Sequence, residues 1–258
     1  DRAVGVNMYP NMTEEPLERR EEDTPKLKKE REAAVAAYVA DIDTNYLAGK
    51  LAAVETVEGT IEAFSNGATI GQVAAASCKA EAPETVEAIA AHHWTERYEA
   101  LRFDTEDYVK KTGKNVEVFL CNMGPIPQHK ARADFSTSFL QVGEFNVHLN
   151  NGFQDDEGKP GSRYEKCVEA LKAGIDENGT PYDVAVICST DATYPEDVPA
   201  LAPMIKAANP NITLFLAGAA PKDLEPVYKE AGVDDFISVK ANCFQTLKML
   251  QKKKGMIE

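Results

Sequence analysis

From Lys114 onward, short apolar runs alternate with amphipathic stretches. The runs are "NVEVFLC" (115–121), "EFNVHL" (144–149), "YDVAVIC" (182–188), "ITLFLA" (212–217) and "DFISV" (235–239). Brief, nearly continuous apolar segments rich in Val, Ile, Leu and Phe describe strands buried on both faces. Helical spacing fills the intervals at about 131–142, 163–177, 196–208, 221–231 and 241–253. Strands separated by helices predict an α/β layer structure, and right-handed crossovers restrict its topology. The expected fold is a flavodoxin-like, doubly wound, five-stranded parallel sheet of order 2-1-3-4-5.

The first 113 residues have a different texture, rich in Ala and Glu with helical periodicity. "AVGVNMY" near the start is strand-like but has no local partner, and "NMTEEPLERREEDTP" is polar enough to be an arm or linker. Thr24 then reads as an N-cap with Pro25 at the first helical position. Val35, Tyr38, Val39, Ile42 and Tyr46 make one apolar stripe. A further helix carries Val54, Val57, Ile61 and Phe64 and ends at Gly67; "TIGQ" (69–72) offers a capping box, and Pro83 opens another helix. The last helix is expected from Thr95 to Gly113. These stripes describe the core of a helix bundle, or alternatively a face for a partner. The chain thus divides into 1–23 (arm), 24–113 (helical linker region) and 114–258 (α/β domain).

The chain has 258 residues, and a hydrophobic fraction of 43% can build a real core. Its net charge of -14 disfavours a nucleic-acid partner, which needs a concentrated basic surface. The basic runs "KLKKER" (26–31) and "QKKKG" (251–255) are short and read as solvated helix faces. No apolar stretch is long enough for a membrane span, and no secretory signal opens the chain. Five cysteines are scattered without a CxxC spacing. They read as reduced thiols in a cytoplasmic protein. Cys121 and Cys188 end neighbouring strands and are expected to pack as buried apolar groups. "AHHW" (91–94) reads as a helix junction with Trp94 packed. The chain opens on Asp1, so it is expected to be a piece of a longer polypeptide.

In a doubly wound sheet, ligands bind beyond the carboxyl ends of the strands. The loops there are "NMGPIPQHK", "STDATYP", "AGAAPKD" and "KAN". A flavin or nucleotide cradle needs free backbone N–H groups, but the first loop holds Pro125 and Pro127. A phospho-receiver needs an acidic pair at the first strand end. Asp191 and Lys240 stand at suitable places, yet that strand ends in Cys121 and Asn122.

The strings "FLCNMGPIPQHKARADFSTSFLQVGEFNV", "VICSTDATYPEDVP" and "VDDFISVKANCF" resemble the C-terminal part of the methylmalonyl-CoA mutase small subunit. "AVGVNMYP" and the stretch ending in "DYVKKTGKNVEVFL" resemble its barrel edge and interdomain linker, so the likeness runs nearly end to end. The resemblance implies a cobalamin-domain-like fold. It also implies a heterodimer in which a large subunit binds adenosylcobalamin and interconverts methylmalonyl-CoA and succinyl-CoA.

Catalytic domains of that family carry an Asp-x-His-x-x-Gly loop after the first strand. Here the histidine position falls on Gln128, or on His129 with a shift of one. The aspartate position falls on Ile126 or Pro127, and the glycine position on Ala131 or Arg132. The family's serine after the third strand matches Ser189, followed by Thr190. Its Gly-Gly pair matches Ala217 and Gly218. The resemblance therefore implies a vestigial site at Gln128, His129, Ser189, Thr190 and Gly218, with His129 facing solvent. It also implies no catalytic or metal-binding residue, no cofactor bound by this chain, and a role in assembly with the large subunit. The alternative is a working adenosylcobalamin-binding domain, with Gln128 or His129 as an unusual lower contact.

Overall fold

Alternation along each strand sends its side chains to two different cores. The computed structural model describes residues 3–14, 23–78 and 85–258. Its five parallel strands are β1 (Glu117–Asn122), β2 (Asn146–His148), β3 (Val184–Cys188), β4 (Thr213–Ala217) and β5 (Asp235–Ile237). They lie in the order β2-β1-β3-β4-β5, the flavodoxin-like arrangement. Register pairs Val118 with Val184 and Cys121 with Ile187, and then Val184 with Thr213.

The described helices are α1 (Thr24–Ala40), α2 (Thr44–Leu51), α3 (Val57–Ser65), α4 (Ile70–Ser77), α5 (Glu96–Thr112), α6 (Ile126–Gln141), α7 (Ser162–Ala173), α8 (Tyr194–Ala208), α9 (Glu225–Ala231) and α10 (Cys243–Lys254). Phe119, Cys121, Ala185, Ile187, Leu214 and Leu216 face α7, α8 and α9. Val118, Leu120, Val184, Val186, Phe215 and Ala217 face α5, α6 and α10. Cys121 and Cys188 are both fully buried, but on opposite faces of the sheet. The group beside Cys121 is Cys167 of α7; burial, then that neighbouring thiol, pushes Cys121 well above the usual thiol range. Among the described residues, no group of three or more His, Cys, Asp or Glu could hold a metal ion. None of the described helices is long and apolar enough to cross a membrane.

The chain splits into two compact units, residues 15–90 on the one hand and 1–14 with 91–258 on the other. α5, expected to close the linker region at residue 113, packs instead within the α/β unit. Thr105 Oγ1 donates to the Gly143 carbonyl at 2.8 Å, and Gln251 Nε2 donates to the Leu101 carbonyl at 2.6 Å. Arg102 pairs with Glu144 at 2.5 Å, and Tyr98 meets Phe244 edge to face. An apolar and polar seam together attach this helix to α10 and to the turn before β2.

Four further expectations differ from the structure. "AVGVNMY" does not extend as a strand; Val4 bridges to Met8 across a turn at Gly5, whose φ is +80°. The single stripe from Val35 to Tyr46 is broken, because Asp43 caps a new helix by accepting from Asn45 N and Tyr46 N. The helix expected to open at Pro83 begins outside the described residues, and 85–93 form none. Trp94 is not packed but 65% exposed, in the turn before α5. Within the helical unit, Leu47, Val54, Ala63, Ala68 and Val73 form a small core, while α1 buries no residue. Thr69 and Gln72 form the expected capping box.

Candidate functional site at the carboxyl edge of the sheet

The turn after β1 is tied down before α6 begins. Met123 N donates to the Cys188 carbonyl, Gly124 N to the Phe153 carbonyl, and Phe153 N to the Asn122 carbonyl, at 2.8–2.9 Å. Gly124 takes φ +81°, and Pro125 caps α6 in extended conformation. Pro127 sits in the first helical turn, where a missing N–H removes no intrahelical bond. Most of the predicted loop is therefore helix, which starts five residues ahead of the expected position near 131.

That shift reorients the two candidate residues. His129 is not solvent-facing: it is 3% exposed on the inner side of α6. Its Nδ1 lies 3.1 Å from the Gly124 carbonyl, which can only accept, so Nδ1 carries the proton. Gly152, at φ +88°, lies against the ring; a Cβ there would come within 2.4 Å of His129 Cε1.

Gln128 reaches the other way. Its Nε2 donates to Ser189 Oγ at 2.8 Å. Ser189 Oγ also accepts from Thr193 Oγ1 at 2.8 Å and donates to the Met123 carbonyl at 3.3 Å. A serine hydroxyl has one donor and two acceptor positions, so Ser189 is saturated. Its backbone N–H is taken by the Tyr194 hydroxyl at 3.0 Å, which in turn donates to the Ala217 carbonyl at 2.6 Å. Burial pushes the Tyr194 hydroxyl well above its ordinary range, so it remains a donor.

Thr190 is exposed and contributes its carbonyl to the turn, accepting from Thr193. Gly218 N donates to the Ile237 carbonyl. The space above Gly218 is filled by Arg132: a Cβ on this residue would lie 2.8 Å from the guanidinium Nη1. Arg132 Nη2 pairs with Asp191 Oδ1 at 2.8 Å. The structure thus brings Gln128 and Ser189 together, keeps His129 on the far side of Gly124, and places Arg132 over Gly218.

In the sequence Arg132 stands only as a candidate for the family's glycine position, and no motif singles out Gly152 or Tyr194. The signal for Arg132 is its spacing, four residues or one helical turn after Gln128, which lies on a segment read as loop. A second group that sequence reasoning missed lies where α7 and α8 begin. Arg163 contacts Asp155 at 2.8 Å and Asp197 at 3.0 Å, and the Tyr164 hydroxyl donates to Asp197 at 2.9 Å. Burial, then Asp197, pushes the Tyr164 hydroxyl up to about 12. This cluster joins two helices across a buried carboxylate, and its ionic partners are already internal.

The family model described as methylmalonyl-CoA mutase matches residues 1–82. The methylmalonyl-CoA mutase small subunit of Porphyromonas gingivalis is 30% identical over 159 residues, covering 62% of this chain and 22% of the relative. A probable small subunit from Mycobacterium tuberculosis is 28% identical over 158 residues, covering 61% and 23%. The chain spans about a fifth of the length of these relatives. Among solved structures, a cobalamin-binding protein from Desulfitobacterium hafniense matches with a TM-score of 0.38 and 14% identity, covering 85% of this chain and 97% of that one. A pilus assembly-related protein from Burkholderia pseudomallei matches with a TM-score of 0.34 and 13% identity, over 55% and 92%. Those two likenesses are too distant to bear on function. In sequence, the chain resembles the methylmalonyl-CoA mutase family and, within it, the small subunit.

Proposed function

We propose that this chain is the C-terminal part of a non-catalytic methylmalonyl-CoA mutase small subunit. In this reading it packs against the large subunit as a cytoplasmic heterodimer and carries no cobalamin itself. The partner subunit would bind adenosylcobalamin and interconvert methylmalonyl-CoA and succinyl-CoA. The names of the relatives support the subunit assignment.

One observation carries the non-binding half: the side chains at the would-be cofactor site hold one another. The residues do not fit adenosylcobalamin. A histidine ligand needs one nitrogen presented openly to the metal while a hydrogen bond holds the other. The Gly124 carbonyl holds Nδ1 of His129, but the ring is only 3% exposed, so Nε2 is not presented to a corrin outside the fold. Ser189 has no position left for a ligand, and the Arg132 guanidinium lies on Gly218 where a nucleotide tail would need room.

Titration of the purified chain with adenosylcobalamin, followed by visible absorbance, is the direct test. The expected result is a spectrum that stays that of free cofactor. A shift to a histidine-bound form, abolished in His129→Ala, would establish the alternative of a working cobalamin domain. Co-expression with a mutase large subunit should give a complex that survives gel filtration; separate elution would remove the assembly role.

A further inference from the structure

The cleft beside Arg132 has features that the assembly role does not use. It lies between α6 and the turns after β3, β4 and β5, with a volume of about 380 Å³. Its walls are apolar at Ala131, Phe135, Ala219 and Val239, and polar at Arg132 and Lys240, with Asp191 and Ser238 beside them. This is the carboxyl edge of the sheet, where doubly wound folds take ligands.

We propose that this cleft binds a small organic anion, a carboxylate or phosphate head on a compact apolar body, with Arg132 and Lys240 as its cationic partners. The chain as a whole carries a net charge of -14, so two cations converging on one cleft stand out from the surface around them. Arg132 offers five N–H donors, of which one is engaged, by Asp191. The Lys240 ammonium has no ion-pair or hydrogen-bond partner among the described residues. Donor capacity for an anion is therefore present and largely unspent.

Asp191 acts as the internal competitor. Its side chain is 69% exposed, and that of Arg132 is 34% exposed. Ion pairs so open to water are weak and exchange readily with an incoming anion. The bare Gly218 lets the guanidinium lie close against the backbone, which fixes its plane at the cleft floor. Phe135 and Val239 are exposed, at 37% and 76%, and would cover the apolar body. At the ~30 Å³ a water molecule occupies, the volume admits roughly a dozen heavy atoms, the size of a substituted ring.

Calorimetric titration of the full chain with phenyl phosphate, benzoate, inorganic phosphate and benzyl alcohol tests this directly. We expect phenyl phosphate or benzoate to bind with one site, at least about tenfold tighter than inorganic phosphate or neutral benzyl alcohol; which of the two binds tighter identifies the head group. Arg132→Ala and Lys240→Ala should each weaken binding about fivefold or more. Asp191→Asn, on an exposed position, should tighten it several-fold by freeing Arg132. A purely structural ion pair predicts the opposite sign or no change for Asp191→Asn, and either result overturns the proposal. So would equal affinity for inorganic phosphate, or no heat with any probe. These readouts are independent of the cobalamin spectrum, so the two proposals stand or fall separately.

Discussion

Gly152 shows how a position far from any motif governs one inside it. Its φ of +88° is a conformation that other residues rarely adopt, and a Cβ there would collide with the His129 ring and the Gly124 carbonyl. Gly152→Ala is expected to cost about 2 kcal/mol or more, from left-handed strain and displacement of the ring together. Chemical denaturation should show a lower midpoint, and His129→Ala should relieve part of the loss in the double variant. Additive losses would mean that the two residues do not press on each other. Little of this was legible beforehand. Ser189 and Gly218 directly follow β3 and β4, as the sequence suggests, because hydrophobic runs define where strands stop, whereas Gln128 lies inside α6 rather than in a loop. The sequence could not say that His129 faces inward, since that depends on where α6 starts.

At the scale of elements, helix starts were decided by capping rather than by apolar periodicity. α6 begins at Ile126 because Pro125 is preset to extended backbone and Pro127 tolerates the first turn. The stripe near residue 40 splits because Asp43 offers a cap in mid-pattern. α8 adds a different case, with Pro199 and Pro203 inside the helix. Both are exposed, as is Pro195, so the three share the solvent-facing row at i, i+4 spacing. Each interior proline leaves the carbonyl four residues earlier without its helical donor, but on this face water can replace it. Pro203→Ala restores that donor, while the unfolded chain gains freedom; the net expectation is about 1–2 kcal/mol of added stability. A rise of several degrees in Tm would register it. An unchanged or lower Tm would mean that the proline costs the helix nothing.

For the whole molecule, the two compact units have unequal cores. Among the described residues, five buried apolar side chains hold the helical unit, whereas the sheet is packed on both faces. Stability follows buried apolar area, so the units should open separately. Hydrogen exchange should show amides of α2, α3 and α4 exchanging at least about tenfold faster than those of β1, β3 and β4. Matching protection in both units would refute independent opening.

The sequence by itself determined the sheet: its five strands, their order and the two-faced alternation. Each follows from local hydrophobic runs and from the handedness of crossovers, which act along the chain. Only the tertiary structure decided which side chains meet at the carboxyl edge. Arg132 with Asp191, Gln128 with Ser189, and His129 with Gly152 are separated by 59, 61 and 23 positions respectively, counted between their residue numbers. Contacts of that kind arise from packing geometry, to which no spacing along the chain corresponds.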